Sequence, residues 1–236
     1  MNLPKNKYLS SDYFEHNPTW DIKDSPWKAK KVTEILLHTG LSPETICEVG
    51  CGAGGVLAEL HKSYPDAGLY GFDIAPAVKR YWLQHTDVDI HFKLGDFFEL
   101  NCKFYDLILL LDVIEHIQDP FEFLNRLRCK AKYYIFHIPL DLSAISVLRE
   151  QPLLYARHKV GHIHYFTKQL ALSIVKDSGF EIIHSRYTKA YAASLQYSFK
   201  TRLAGFPRRI AYWINKDWGV RLFGGETLMV LAKDKG

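Results

Sequence analysis

From Thr45 onward, short apolar runs that end in Gly or Asp alternate with helix-length segments, and this rhythm strongly constrains the fold. The run at 107–111, Leu-Ile-Leu-Leu-Leu, is apolar at every position. A strand of this kind must be covered on both faces, as parallel strands are when helices pack on each side of the sheet. The alternation itself is typical of βαβ units. The sequence therefore predicts an α/β protein with a doubly wound, mostly parallel, seven-stranded sheet.

The predicted elements follow this rhythm along the chain. Strands are expected at 45–50, 68–73, 88–94, 105–111, 133–138, 180–186 and 226–232, and helices at 54–64, 75–84, 120–130 and 167–178. A further helix is predicted to precede the sheet, with Ser25 as its N-cap, Pro26 at its first position and Gly40 at its end.

The length of 236 residues suits one α/β domain with additions. We expect an N-terminal cover at 1–44, a core at 45–186, an insertion at 187–224 and a last strand at 225–236. The net charge of +4 is too small to indicate nucleic acid by itself. The insertion combines aromatic residues and one acid, Asp217, with the cations Lys189, Lys200, Arg202, Arg208, Arg209, Lys216 and Arg221. Such a segment is expected to cover the core or to act as a lid, with membrane-surface or RNA contact as less favoured alternatives.

The cysteines and the hydropathy pattern exclude several classes of protein. Cys47, Cys51, Cys102 and Cys129 form no Cys-x-x-Cys pair and no zinc-type spacing, which predicts reduced thiols and no metal site. No apolar run approaches the ~18 residues needed to cross a bilayer, and the first residues contain no apolar signal segment. We therefore expect a cytoplasmic protein without a transmembrane segment; the sequence indicates no particular oligomeric state.

The loop after the first predicted strand contains Gly50, Gly52, Gly54 and Gly55. In an open parallel sheet, ligands bind where this loop meets the N-terminus of the following helix. The spacing satisfies two rules, since 50, 52 and 55 fit the dinucleotide pattern and 50, 52 and 54 fit the Gly-x-Gly-x-Gly form of S-adenosylmethionine sites. The glycines therefore predict a nucleotide-like ligand without identifying it.

Acidic residues at three strand ends distinguish between these ligands. Glu48 would repel the pyrophosphate of a dinucleotide but suits the sulfonium and ammonium groups of S-adenosylmethionine. Asp73 ends the second predicted strand, where a carboxylate can accept hydrogen bonds from ribose hydroxyls. Asp96 ends the third, beside the apolar Phe97, and suits the amino group of adenine. The acids favour S-adenosylmethionine as the cofactor.

A series of motifs follows in fixed order: 48–54 (Glu-Val-Gly-Cys-Gly-Ala-Gly), 71–73 (Gly-Phe-Asp), 95–96 (Gly-Asp), 105–108 (Tyr-Asp-Leu-Ile) with 112–117 (Asp-Val-Ile-Glu-His-Ile), and 166–167 (Phe-Thr) with 179–180 (Gly-Phe). In this order they resemble the motifs of class I S-adenosylmethionine-dependent methyltransferases, and within them the small-molecule branch often labelled type 11 or type 12. The resemblance covers about 45–186, the greater part of the chain.

The resemblance implies a role for each motif. The glycine loop would hold the methionine part of the cofactor, Asp73 the ribose and Asp96 the adenine, while Leu111 and Asp112 would line its other side. The predicted cofactor site comprises Glu48, Gly50, Cys51, Gly52, Gly54, Asp73, Ile74, Asp96, Phe97, Leu111 and Asp112. Residues 111–114 differ from the Asn/Asp-Pro-Pro-Tyr/Phe motif of enzymes that methylate amide nitrogens of nucleic acid or protein, which argues against DNA as a substrate.

Methyl transfer to a hydroxyl needs orientation and a general base, for which histidine is the natural candidate. We predict catalytic or substrate-contacting roles for His116, His162 and His164, although His116 also suits a role in ordering its loop. His162 and His164 precede a helix whose predicted N-cap is Thr167. A metal held by these two histidines and His158 is a less favoured alternative.

The leading hypothesis is transfer of a methyl group to an oxygen or nitrogen of a small-molecule acceptor. One alternative is a catalytically inactive binding module that keeps the fold. Another, less favoured, is a nicotinamide-dependent oxidoreductase that uses the same glycines.

Overall fold

A seven-stranded sheet lies at the centre of the protein in a computed structural model, which describes residues 20, 22–188 and 206–236. The strands are β1 (Thr45–Val49), β2 (Gly68–Asp73), β3 (Ile90–Leu94), β4 (Tyr105–Leu111), β5 (Ala131–Leu140), β6 (Phe180–Tyr187) and β7 (Glu226–Asp234). Their spatial order is β3-β2-β1-β4-β5-β7-β6, and β7 is antiparallel to both of its neighbours. The strand order reverses between β1 and β4, which places the expected ligand site at the carboxyl ends of these strands.

Helices connect and cover the strands. They are α1 (Ser25–Thr39), α2 (Gly55–His61), α3 (Lys79–Trp82), α4 (Phe97–Leu100), α5 (Pro120–Leu127), α6 (Ala144–Arg149), α7 (Gln151–Tyr155), α8 (Lys168–Asp177), α9 (Phe206–Ile214) and α10 (Lys216–Phe223). Short 3-10 turns lie at Ile22–Asp24, Pro76–Val78 and Ile114–His116, and a π-helical turn follows α7 at Ala156–Val160. Within the described residues, none of the helices combines the length and the apolar character needed to cross a membrane.

Two apolar clusters lie on opposite faces of the sheet. Along β4, Ile108 and Leu110 point into one cluster, which α5 and α8 cover, whereas Leu107 and Leu109 point into the other, which α1 and α2 cover. All four side chains are at most 1% exposed. The doubly wound, mostly parallel sheet predicted from the sequence is therefore confirmed.

The predicted limits match two of the seven strands, differ by one or two residues at one or both ends of the other five, and are too long for the helices. β2 and β4 have the predicted limits, and β1 is one residue shorter than expected. The helix predicted at 75–84 is wrong in extent, because a 3-10 turn at Pro76–Val78 leaves only the four residues of α3. Strand β3 begins at Ile90, two residues later than predicted.

The prediction of Ser25 as an N-cap is also wrong. Ser25 is the first residue of α1, and Asp24 occupies the N-cap position. The Ser25 side chain packs against the glycine loop instead, where a Cβ added to Gly55 would lie 2.5 Å from the Ser25 hydroxyl oxygen. The end of α1 is as predicted, because Gly40 adopts a left-handed φ of 69° and caps the helix.

Helices α9 and α10 belong to the segment predicted as an insertion and lie between β6 and β7 in the chain. Helices α9 and α10 pack on the core through Tyr212 and Val220, whereas Trp213 is 88% exposed. Asp217 accepts hydrogen bonds from Lys168 of α8 and from Tyr187. The cations Lys189, Lys200 and Arg202 lie outside the described residues, as does most of the predicted cover before residue 22.

The hydroxyl of Tyr134 organises the turn between α5 and β5, and its removal should destabilise the fold. The oxygen accepts hydrogen bonds from the amides of Lys130 and Ala131 at 3.0 and 2.8 Å and donates to the carbonyl of Leu127. Tyr134→Phe leaves two amides without this acceptor and is expected to lower the free energy of unfolding by about 1–3 kcal/mol in urea titrations.

Tyr133→Phe is the matched control, because Tyr133 lies on the opposite face of β5 and is half-buried. Tyr133→Phe should lower the free energy of unfolding by clearly less than Tyr134→Phe does. Equal losses for the two variants would contradict the structural role of the Tyr134 hydroxyl.

Candidate active site

The glycine loop turns sharply between β1 and α2. The amides of Gly50 and Cys51 donate to the carbonyl of Phe72 at 2.8 and 3.0 Å, which ties the loop to the end of β2. Gly50, Gly52 and Gly54 have φ values of 78°, 50° and 79°, whereas Gly55 has no positive φ and begins α2. The left-handed conformations thus fall on the Gly-x-Gly-x-Gly positions. Residues with L side chains adopt such conformations only with strain.

Packing adds a second reason for glycine in this loop. A Cβ at Gly50 would lie 2.8 Å from a methyl group of Val113, and one at Gly54 would overlap the ring of Phe92. The sequence predicted that glycines admit a ligand, but at these two positions other parts of the protein occupy the space. The loop is therefore held rigidly between β3 and the segment after β4.

Asp73 connects the turn after β1 to the turn after β2. One of its carboxylate oxygens accepts from the amide of Gly52 at 2.8 Å, and the other accepts from the amide of Ala75 at 2.8 Å. Burial raises the pKa of Asp73 despite the stabilising hydrogen bonds from Ala75, Gly52 and Ile74. Asp73 therefore positions the glycine loop, whichever ligand it also contacts.

Glu48 is a buried acid at the end of β1. It is 3% exposed, and its Oε2 has no hydrogen-bond partner within the described residues. Burial raises the pKa of Glu48 to about 8; Lys28 acts in the opposite direction, and the neighbouring charges of Asp73 and Asp112 raise the pKa further. An unpaired buried carboxyl group is costly, and a cation in the site would offset that cost.

Asp112 follows β4 and lies between two cationic or basic side chains. Its carboxylate is 2.8 Å from Lys28 Nζ and 2.7 Å from His137 Nδ1. Burial acts to raise the pKa of Asp112, but His137 and Lys28 outweigh it and hold this pKa well below its ordinary value. The residue has a left-handed φ of 58°, which turns the chain away from the sheet at the site.

The other predicted cofactor residues lie at the same edge, with different surroundings. Asp96 caps α4 by accepting from the amide of Phe98 at 2.9 Å. Phe97 is 3% exposed and packs edge-on against Phe72. Cys51 and Leu111 are buried in the core, and Ile74 is partly exposed.

Two of the predicted catalytic histidines lie together beside Glu115. The rings of His116 and His162 are 4.9 Å apart, and their Nε2 atoms lie 3.8 and 3.9 Å from Oε1 of Glu115. His164 points elsewhere, with its Nε2 2.9 Å from the carbonyl oxygen of Ile117. His158, the third member of the alternative metal site, is exposed on the π-helical turn. Thr167 caps α8 as predicted, by accepting from the amide of Leu170.

Three residues of this site were not identified from the sequence. Glu115 lies within the motif at 112–117, but its complete burial could not be read from that motif. Lys28 reaches Asp112 from α1, and Asp141 reaches His162 from the segment after β5. Both contacts join distant parts of the chain, so no local spacing signals them.

Replacing Glu48 with Gln should stabilise the ligand-free protein increasingly as the pH rises. In the window from 4.5 to about 8, folded Glu48 keeps a proton that the unfolded chain releases. The wild type therefore loses stability across this window as the pH rises, whereas Gln does not titrate. Chemical unfolding should show the advantage of the variant growing by on the order of 1 kcal/mol per pH unit.

Glu59→Gln serves as the control, because Glu59 is a partly exposed acid on α2 that pairs with Lys62. An advantage of Glu48→Gln that stays constant across the window would contradict a raised pKa at Glu48.

Comparison with known proteins places the chain in a family. A family model described as a methyltransferase domain matches residues 26–185, from α1 to β6. Among solved structures, magnesium protoporphyrin IX methyltransferase from Synechocystis PCC 6803, with bound S-adenosylhomocysteine, aligns with a TM-score of 0.64 at 17% identity. The alignment covers 98% of this chain and 97% of that chain, which shows the same fold.

Curated relatives match over shorter stretches. The malonyl-[acyl-carrier protein] O-methyltransferase of Hahella chejuensis is 32% identical over 69 residues, which are 29% of this chain and 25% of the relative. The enzyme of the same name from Anoxybacillus flavithermus is 36% identical over 83 residues, which are 34% of this chain and 32% of the relative. The match thus spans a third or less of these relatives. With the family model covering most of the chain, the protein belongs to the methyltransferase-domain family, the class I S-adenosylmethionine-dependent methyltransferases that its motifs resemble.

Proposed function

We propose that the chain binds S-adenosylmethionine at the carboxyl ends of β1, β2 and β4 and transfers its methyl group to an oxygen or nitrogen of a small-molecule acceptor. The observation that carries this proposal is the buried carboxyl group of Glu48, whose Oε2 lacks a partner within the described residues. Glu48 interacts electrostatically with Asp73, Asp112 and Lys28. Three acids therefore lie close together, and Glu48 keeps an oxygen that can contact a positively charged ligand.

The charge of the cofactor matches this arrangement. S-adenosylmethionine carries a sulfonium and an ammonium group, and a carboxylate within a few ångströms attracts both strongly where water is excluded. A nicotinamide dinucleotide would instead bring a pyrophosphate anion to the same loop, where the ionised forms of Glu48 and Asp73 would repel it. Electrostatics thus favours a methyltransferase over an oxidoreductase.

The remaining cofactor contacts follow from the strand ends. In the proposed pose, Gly50, Gly52 and Gly54 hold the methionine part. Asp73 contacts the ribose beside Ile74, because its two oxygens have about four lone-pair sites and the three amides of Gly52, Ile74 and Ala75 do not occupy them all. Further contacts are assigned by position: Cys51 within the loop, Asp96 and Phe97 at the adenine, and Leu111 and Asp112 along the other side.

The reaction is an in-line displacement at the methyl carbon. The carbon–sulfur bond breaks with its electron pair moving to sulfur, and a lone pair of the acceptor forms the new bond to the methyl group. The acceptor proton passes to a base, for which we propose His116, His162 or His164. His116 and His162 bind other groups through Nδ1 and direct Nε2 towards Glu115, whereas His164 uses Nε2 for the carbonyl of Ile117.

The acceptor is proposed as a small molecule and not DNA. The curated relatives are O-methyltransferases of malonyl-[acyl-carrier protein] by name. Carboxylates held as malonyl thioesters therefore belong in an acceptor panel with hydroxyl and amine compounds. We further propose a cytoplasmic location, which the free, buried thiols of Cys47 and Cys51 support.

Glu48→Gln should weaken the binding of S-adenosylmethionine by about 1.5–3 kcal/mol, since it removes a charge-assisted contact. Isothermal titration calorimetry on the wild type and the variant measures the difference. Glu59→Gln is the control and should leave the affinity unchanged, because Glu59 pairs with Lys62 on the surface of α2.

Titration of the same proteins with reduced nicotinamide cofactor provides the opposite test. If the loop bound a dinucleotide, Glu48→Gln would strengthen binding above about pH 8, where the variant removes a repulsive charge. Saturable binding of the dinucleotide, with none of S-adenosylmethionine, would overturn the proposed function. Binding of S-adenosylmethionine without methyl transfer to any acceptor of the panel would instead favour the inactive binding module.

A further inference from the structure

Glu115 is a fully buried acid whose surroundings do not satisfy it. Its side chain is 0% exposed, and neither carboxylate oxygen has a hydrogen-bond partner within the described residues. The chain around it is fixed, because the carbonyl of Glu115 accepts from the amides of Ile163 and His164 at 2.9 and 3.1 Å. These two bonds hold the segment after β4 against the segment that carries His162.

Two imidazoles direct nitrogen lone pairs towards this carboxyl group. Nδ1 of His162 is 2.6 Å from a carboxylate oxygen of Asp141, and Nδ1 of His116 is 3.1 Å from the carbonyl of Gly161. Because both partners are acceptors, each Nδ1 carries the proton in the neutral ring and Nε2 is the unprotonated nitrogen. Both Nε2 atoms lie within 4 Å of Glu115 Oε1. Three electron-rich atoms thus converge on one small buried space.

We propose that Glu115, His116 and His162 bind a divalent transition metal ion through both Nε2 atoms and a carboxylate oxygen. One ligand atom from each of the three residues lies within 4.8 Å of the other two. Ligands at about 2.0–2.1 Å from a tetrahedral ion are about 3.3 Å apart, so the two distances from Nε2 to Oε1 of Glu115, 3.8 and 3.9 Å, would shorten by about half an ångström when a metal binds. Two imidazoles and one carboxylate suit zinc, manganese, cobalt or ferrous iron.

The Nδ1 contacts have the form expected of outer partners in a metal site. Metal-binding histidines commonly donate their second ring N–H to a carboxylate or a backbone carbonyl, which fixes the tautomer and the ring orientation. Asp141 and the carbonyl of Gly161 supply these two acceptors.

The position of the metal site indicates which chemical class of methyl acceptor would bind the ion; this step rests on the proposed function. Glu115 and His116 lie in the 3-10 turn that directly follows Asp112 and β4. Three protein ligands leave coordination positions open, and a hydroxyl group bound there would lose its proton more readily. The acceptor would then be an oxygen compound that ligates the metal. His116 and His162 would serve as ligands, so of the three proposed bases only His164 would remain to take the proton.

Cobalt titration of the full chain, freed of metal with a chelator, tests the site. Calorimetry and the visible absorption of Co²⁺ should show saturable binding of one ion per chain. Glu115→Gln should lower the affinity by about 100-fold or more, and Asp141→Asn by about 10- to 100-fold. The control is His158→Gln, because His158 is an exposed histidine that lies between β5 and α8, as His162 does. This variant should bind Co²⁺ as the wild type does.

Two outcomes would overturn the metal site: no saturable binding of Co²⁺ by the wild type, or equal affinity of the wild type and Glu115→Gln. His116→Gln provides a second ligand variant, and circular dichroism verifies that each variant is folded. Titration with S-adenosylhomocysteine separates the two proposals. Cofactor binding without Co²⁺ binding would refute the metal site alone. Co²⁺ binding without cofactor binding would support the metal site and refute the proposed function.

Discussion

The hydrogen bonds from Gly52 and Ala75 to the carboxylate of Asp73 are the contacts on which the site depends. They join the turn after β1 to the turn after β2 and set the path of the glycine loop. The amides of Gly50 and Cys51 reinforce this junction by donating to Phe72, one residue before Asp73. Because the loop is fixed in this way, Glu48 is held beneath it and away from water.

Buried charge is the second constraint. Some of the acids at the strand ends have compensating partners and others do not. Asp112 is compensated by Lys28 and His137, whereas Glu48 and Glu115 have carboxylate oxygens without partners within the described residues. Burial raises the pKa of both, with neighbouring acids adding to the effect. An apolar side chain at either position would be less costly to the fold, so the two acids are best explained by ligands that they bind. A cationic cofactor suits Glu48, and a metal ion suits Glu115.

Much of the fold was predictable from local patterns. Apolar runs that end in Gly or Asp mark β2 and β4 at their observed limits, and Gly40 ends α1 by its left-handed conformation. The errors have tertiary causes. Ser25 packs on Gly55 instead of capping α1, a contact between residues 30 positions apart in the chain. Similarly, the motif at 112–117 contains Glu115, but Asp141 and His162 approach it from distant segments, so sequence spacing alone could not assemble the metal-ligand set.

Proton release on cofactor binding tests the central claim most directly, because it reports the charge state of the buried acid. In the ligand-free protein the pKa of Glu48 is about 8, so at neutral pH its carboxyl group is mostly protonated. Calorimetry of S-adenosylmethionine binding in buffers of different ionisation enthalpy measures the protons released. The account predicts that Glu48 contributes close to one proton per cofactor near neutral pH, and that Glu48→Gln loses this contribution. Equal proton release by the wild type and the variant would contradict it.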